Sequence, residues 1–219
     1  MTIEKRSFAA AIFDMDGLMF DTERMHIRSW IGGAAMQGGT LTANDLMPLR
    51  GLPARIFCER MVALLPPGAD VDKLLLLKRE LMADELRTNG VPQKPGLVAL
   101  LEELRKQGIP AAVATSTPRD VAGRMLQTAG VRDYFAAIVF GDEVQNGKPA
   151  PDIFLKAAEK LGVLPQDCLA LEDAPNGATA AIRAGMKTVM VPDLDEPPKE
   201  IRGQLFAVAE SLADVVQLL

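Results

Sequence analysis

Two aspartates two residues apart, Asp14 and Asp16, follow the apolar run Phe8-Ala9-Ala10-Ala11-Ile12, the second immediately before Gly17. The run reads as a buried strand, and the two-residue period of a strand points both carboxylates the same way. Gly17 lets the chain leave the strand through a turn that a bulkier residue would resist. Like charges held this close repel, and burial raises the cost. The pair therefore either holds a cation or shares a proton.

Other chemistry-bearing residues recur at comparable places. Thr115 and Ser116 follow Pro110-Ala-Ala-Val-Ala114; Lys148 stands before Pro149 in the loop after Ala136 to Phe140; Glu172 and Asp173 follow Cys168-Leu-Ala-Leu171. Taken singly, each has a plain structural reading. The aspartate pair can cap a helix, Thr115 to Thr117 can end in an N-cap at Thr117, Lys148 can be a solvated surface lysine, and Glu172-Asp173 can be a helix-start charge pair. Taken together they make a different inventory. Asp14 and Asp173, with the carbonyl of Asp16, form a hard-oxygen set suited to Mg2+. A hydroxyl, helix N-terminal amides and an ammonium form an anion site facing it. A metal with carboxylates beside an anion pocket describes phosphoryl transfer, with an aspartate as nucleophile and a second carboxyl exchanging the proton.

The elements that must position these groups alternate strand and helix. After Val91 to Gly96, an amphipathic helix over Leu97 to Lys106 ends at Gly108, and the strand to Ala114 leads to a helix with Pro118 at its start and Gly130 at its end. A third strand reaches Phe140, Pro151 opens a helix that stops at Gly162, Pro175 opens another that stops at Gly185, and Met186 to Val191 is a fifth strand. The tail finishes as a helix from about Glu210. This is the grammar of an α/β fold with an open parallel sheet, in which ligands bind beyond the carboxyl ends of the strands. All four groups of chemistry-bearing residues lie at that rim. Between them, residues 21–90 carry helix signals only. One helix follows Glu23 and is expected to be short or soft because Gly32-Gly33 interrupt it; others run from Pro53 to Leu65 and from Asp70 to Arg87. The chain reads as a core of residues 1–20 and 91–219 with an all-helical module of residues 21–90 inserted after the first strand.

Composition restricts the partners. The 219 residues are 48% hydrophobic and 24% charged, which is globular composition, and a net charge of −5 supplies no basic surface for nucleic acid or an anionic membrane. Cys58 and Cys168 lie far apart in the sequence and read as buried free thiols of a reducing compartment. With no signal-like N-terminal run and no membrane-length apolar stretch, the expectation is a cytoplasmic protein. No long exposed apolar stripe calls for an assembly, so a monomer is expected. The eleven methionines, Met15, Met19 and Met25 among them, read as adaptable packing.

Asp14-x-Asp16-Gly17, Thr115, Lys148-Pro149 and Glu172-Asp173 resemble, in order, the four motifs of the haloacid dehalogenase superfamily. Phe13 to Gly17 with Asp21-Thr-Glu23, Gly147 to Asp152 and Leu171 to Ala174 are similar to the branch that holds sugar-phosphate phosphatases and beta-phosphoglucomutase. The resemblance covers nearly the whole chain and implies a Rossmann-like three-layer core, with the helical module as its cap. It implies that Asp14 is nucleophile and Mg2+ ligand, and that Asp16 is general acid/base and offers its carbonyl to the metal. Thr115 with the Ser116 amide would bind the phosphoryl group, Lys148 would neutralise it, and Asp173 with Glu172 would complete the metal shell. In the cap, His26 and Trp30 fall where the mutase branch has a histidine and a tryptophan; the resemblance implies that they position Asp16 or shape the substrate pocket, with His26 among the substrate-binding residues, and the plain reading of both is packing. Arg50 and Arg55, flanking Gly51, fall where related caps bring a group to the substrate; the resemblance implies that either contacts a second phosphate, Arg55 being the substrate-binding candidate, and the plain reading is an exposed helix-start arginine.

The implied activity is a Mg2+-dependent phosphatase acting on a small phosphorylated metabolite, with a beta-phosphoglucomutase as the alternative. Two departures weaken the mutase: Gly51-Leu-Pro-Ala54 replaces a Gly-x-Ser step before the arginine, and Glu80 stands where the mutase cap has a lysine. A non-catalytic phosphometabolite-binding module is the third reading, and the retention of both Asp14 and Asp16 speaks against it.

Overall fold

The structure is a computed structural model that describes residues 8–49 and 54–219, with the side chains of residues 54 and 55 outside the description. Two compact units emerge: one from the described residues up to Asp21 together with Val91–Leu219, the other from those of Thr22–Gly90.

In chain order, β1 (Ala10–Phe13) is followed by the helices of the second unit: α1 (Thr22–Ala35), α2 (Ala43–Leu46), α3 (Ala54–Leu64) and α4 (Val71–Asn89). The first unit then resumes with α5 (Leu97–Lys106), β2 (Ala111–Ala114), α6 (Arg119–Thr128) and β3 (Phe135–Val139). Next come α7 (Asp152–Leu161), β4 (Cys168–Glu172), α8 (Pro175–Arg183) and β5 (Lys187–Met190). The chain ends with α9 (Lys199–Arg202), β6 (Ala207–Val208) and α10 (Leu212–Val215).

The strands form one parallel sheet in the order β3-β2-β1-β4-β5-β6. Parallel strands must be covered on both faces, which is why β1, β2 and β4 are buried at every position. On one face, alternate residues of four strands (Ala10 and Ile12, Ala112 and Ala114, Ala137 and Val139, Cys168 and Ala170) meet Phe154, Ala157 and Ala158 of α7, Ala180 and Ala181 of α8, and Ala184 at its C-cap. Alanine on both sides brings helix and sheet close. The chain builds outward from β1 to β3, then crosses back over β1 to reach β4 and builds the other way. Because crossovers are right-handed, that reversal moves the later helices to the opposite face, and the crevice of an open sheet falls where the connections leaving the paired strands β1 and β4 part.

In the helical unit, α1 runs unbroken through Gly32 and Gly33, against the expectation of a short or soft helix. Both glycines are packing positions: a Cβ on Gly33 would stand 3.0 Å from Leu74 Cδ1, and one on Gly32 3.0 Å from Leu81 Cδ1. The missing side chains let α1 and α4 come together, and that contact replaces the propensity they cost. The unit's core joins Ala34, Leu41, Leu46, Leu49, Met61 and Leu74, with Trp30 packed 5.1 Å from Phe57. Asp70 caps α4 by accepting from the N–H groups of Asp72 and Lys73. Helix α2 was not legible in the sequence. Strand β6 is not anticipated either: it is only two residues long, pairing with β5 at the sheet edge, and the apolar run Leu205 to Ala209 that contains it is too short to tell a strand from a helix. The tail helix begins at Leu212 and is a single turn continued by a 3-10 turn.

Cys168 is buried and free, and burial pushes its thiol up to about 11. Cys58 is free but only half-buried, a correction to the expectation for that residue. Among the described residues no helix is long and apolar enough to cross a membrane.

Candidate active site

The rim beyond the sheet's carboxyl edge collects the groups in the way the strand order dictates. Neighbouring strands β1 and β4 end in Asp14 and in Glu172 with Asp173, and β2, on the other side of β1, ends in Thr115. The Asp14 N–H donates to the Leu171 carbonyl at 3.0 Å, and the Thr115 N–H to that of Val139 at 3.1 Å, so both residues still belong to the ladder when their side chains leave it. Asp14, Thr115, Glu172 and Asp173 are all buried. Carboxylate oxygens of Asp14, Glu172 and Asp173 lie within 4.8 Å of one another.

Lys148 comes from the loop after β3, where its peptide bond to Pro149 is cis. Its ammonium pairs with Asp14 Oδ1, stands 2.6 Å from Glu172 Oε1, and lies 5.0 Å from the Phe154 ring centroid. The second oxygen of Glu172 accepts from the Asp173 N–H at 3.1 Å. Glu172 is thus held at both ends, and it leans on bare backbone: a Cβ on Gly177 would overlap its carboxylate. Gly17 does the same for Asp173. Its φ of +88° meets the turn requirement, and in addition a Cβ there would overlap the Asp173 carboxylate. That second reason is invisible in the sequence.

Asp16 is held by hydroxyls. Its Oδ2 accepts from the Thr117 hydroxyl at 2.7 Å, and the Thr115 hydroxyl lies 3.4 Å away. The Thr117 N–H in turn donates to Thr115 Oγ1 at 3.0 Å. The expectation that Thr117 caps α6 is corrected. Pro118 occupies the N-cap position, no side chain caps the helix, and the hydroxyl of Thr117 goes to Asp16 instead. Ser116 is exposed, and its carbonyl is approached so closely by Gly141 that a Cβ there would overlap it.

The charges decide what the site can hold. Burial is the largest influence on Asp14, and the nearby carboxylates of Glu172 and Asp16 add to it; together they outweigh Lys148 and push its carboxyl up to about 8. Lys148, by contrast, is held protonated by Asp14 and Glu172 against its own burial. One buried ammonium does not neutralise this many carboxylates, so the cluster favours either a proton or a further cation. An all-oxygen donor set suits a hard divalent ion such as Mg2+, and the glycine backbone beside Asp173 leaves its carboxylate room to serve as a ligand.

The remaining expected residues belong to the helical unit. His26 is half-buried on α1 of the helical unit. Trp30 packs on Phe57 with Lys78 5.7 Å from its ring centroid, which is the packing role. Arg50, and Gly51-Leu-Pro of the stretch up to Ala54, lie outside the described residues, as do the side chains of Ala54 and Arg55. Lys94 and Asp193, like the carboxylate-binding role of Thr117, carry no motif legible in the sequence. Asp193 follows β5 on the same rim and pairs at 2.5 Å with Lys94, whose N–H donates to the Met19 carbonyl.

Comparison with known proteins supplies a context for this geometry. A profile of the haloacid dehalogenase-like hydrolases matches residues 8–185. The chain is 33% identical over 182 residues to the phosphorylated carbohydrates phosphatase of Thermotoga maritima, covering 82% of this chain and 83% of that one. It is 34% identical over 184 residues to the fructose-1-phosphate phosphatase of Escherichia coli, covering 84% and 96%. Its fold is similar to that of a HAD family hydrolase of Deinococcus radiodurans solved with bound phosphate and sodium. There the TM-score is 0.79 at 26% identity, over 98% of both chains.

Proposed function

The chain belongs to the haloacid dehalogenase-like hydrolases, and from that premise we propose that it is a Mg2+-dependent phosphatase of a small sugar phosphate, working through an aspartyl-phosphate on Asp14. The observation that carries the reading is the division of labour between two carboxyl groups two residues apart. Asp14 stands in a buried cluster of one ammonium and further carboxylates, whereas Asp16 is held by hydroxyls. Those surroundings suit one acid to staying ionised beside a cation and the other to exchanging a proton.

In this reading an Asp14 carboxylate oxygen attacks phosphorus, and the bond to the leaving sugar oxygen breaks as that oxygen takes the Asp16 proton. Asp16, now ionised, removes a proton from water, which attacks the phosphorus of the aspartyl-phosphate; the P–O bond to Asp14 breaks and inorganic phosphate departs. Thr115 and the backbone at the start of α6 bind phosphoryl oxygens. Lys148 holds Asp14 on line and neutralises incoming charge. Asp14, Asp173 and the Asp16 carbonyl would hold Mg2+, with Glu172 as a further ligand or as the support of Lys148. When bound, the ion supplies the positive charge that lets Asp14 be ionised next to an anionic substrate. The helical unit is the substrate-selecting cap, to which His26 and Arg55 belong.

The names of the relatives above support the substrate class. The test is a panel of phosphorylated sugars, polyols, nucleotides and phosphoglycolate, following inorganic phosphate together with conversion of beta-glucose 1-phosphate to glucose 6-phosphate. Phosphate release from sugar phosphates is expected; isomer conversion with little release would replace the phosphatase by a mutase.

A further inference from the structure

Thr117 is bound to the site in a way that helix capping does not explain. It stands between β2 and α6, where a threonine would ordinarily satisfy the first amides of the helix, yet no side chain caps α6. Its hydroxyl donates to Asp16 Oδ2 at 2.7 Å, a well-formed hydroxyl–carboxyl hydrogen bond, while its N–H donates to Thr115 Oγ1 at 3.0 Å. The Thr115 hydroxyl lies 3.4 Å from the same carboxylate oxygen. The branched side chain has few rotamers, so once the N–H is committed to Thr115 the direction of the hydroxyl is largely set. One residue thereby ties the orientation of the Asp16 carboxyl to the side chain at the end of β2.

We propose that Thr117 is a positioning residue whose hydroxyl aims the Asp16 carboxyl at the leaving oxygen of the substrate. The inference rests on the reading of Asp16 as the acid. A hydroxyl is suited to the task because it both donates and accepts, and so it can hold the carboxyl before and after the proton is handed over. A lysine or arginine in its place, able only to donate and positively charged, would favour the ionised form. The contact acts on one step, the departure of the leaving group, and it should matter in proportion to how badly that group needs a proton.

The experiment compares wild type, Thr117→Val, Thr117→Ser and Asp16→Asn on phosphate monoesters of graded leaving group. Phenyl and ethyl phosphate leave as oxygens that require a proton; p-nitrophenyl phosphate leaves as a stable anion. None of them carries a sugar hydroxyl or a second phosphate, so a lost grip on the sugar of a natural substrate cannot mimic the result. The quantity read is kcat/KM, which reports the steps up to release of the alcohol, with folding checked by circular dichroism and phosphate affinity by competitive inhibition. Asp16→Asn should lose about 100-fold or more on phenyl and ethyl phosphate and much less on p-nitrophenyl phosphate. Thr117→Val should show the same selectivity at lower amplitude, about tenfold against less than about threefold, with inhibition by inorganic phosphate within about twofold of wild type. Thr117→Ser, which keeps the hydroxyl, should recover most of the loss.

An equal fall on all three substrates, weakened phosphate inhibition, or no rescue by serine would overturn the positioning role. If Asp16→Asn is selective and Thr117→Val is not, the inference fails while the phosphatase reading stands. If Asp16→Asn shows no selectivity, the assignment of the acid fails and takes the inference with it.

Discussion

Removing divalent cations should make the stability of this protein depend on pH through Asp14. Burial raises that carboxyl from 3.8 to about 8 despite the Lys148 ion pair. In the chelated folded protein Asp14 therefore keeps its proton over a range in which the unfolded chain has lost it. The folded state binds more protons than the unfolded state between these limits, so stability is full below about pH 4 and falls as pH rises toward 8. The slope approaches about 1.4 kcal/mol per pH unit. Between pH 5.5 and 7.5 this sums to about 2–3 kcal/mol, or roughly 5–10 °C in Tm for a chain of this length. Other groups titrate too, and the Asp14→Asn variant removes only this one. In EDTA the variant should be increasingly more stable than wild type as pH rises from 5.5 to 7.5. With saturating Mg2+ the order should reverse, because the ion competes with the proton for the wild-type carboxylate and stabilises the folded state by mass action. The assay is thermal or urea unfolding of both proteins across that pH range, with chelator and with Mg2+. Parallel curves for the two proteins in EDTA would refute the argument that buried carboxylates outnumber the available positive charge.

Three further perturbations follow from the same geometry. Lys148→Met removes the ammonium between Asp14 and Glu172 and should lower kcat by about 100-fold or more at saturating Mg2+; turnover within threefold of wild type would deny Lys148 its role. Gly17→Ala forces a side chain into a left-handed conformation and onto the Asp173 carboxylate. It should cost about 1–2 kcal/mol of stability and weaken Mg2+ binding measured by calorimetry, and unchanged Mg2+ affinity would contradict the placement of Asp173. Gly33→Leu replaces a poor helix former but drives a large side chain toward Leu74 and α4. Overpacking should win, with a loss of about 1–3 kcal/mol in urea unfolding, and a gain in stability would overturn the close-packing account of α1 and α4.

Much of the core was legible because its signals are local. Gly108, Gly130, Gly162 and Gly185 fall at helix ends, and Pro118, Pro151 and Pro175 at helix starts, so the alternation of strand and helix could be read without tertiary information. The α/β class followed, and the rim of an open parallel sheet then gathered Asp14, Thr115, Lys148 and Glu172 with Asp173. What escaped depends on contacts between distant segments. Gly32 and Gly33 read as helix breakers until α4 is seen against them. Gly177 reads as a weak helical residue until the Glu172 carboxylate is found resting on it. Thr117 carries a residue type that suits two jobs, capping the next helix or binding a carboxylate, and only the approach of Asp16 decides between them. Helices α2 and α9 and strand β6 are too short for a hydrophobic period to build up.

The central claim is that Asp14 carries the phosphoryl group. It is tested most directly by acid-quenching the protein within milliseconds of mixing with Mg2+ and a turned-over sugar phosphate, followed by peptide mass spectrometry. The account predicts a phosphoryl adduct on the peptide containing Asp14, formed and lost within the turnover time and absent from the Asp14→Asn variant, which should also be inactive. Rapid phosphate release without an adduct on that peptide, together with substantial turnover by Asp14→Asn, would contradict it.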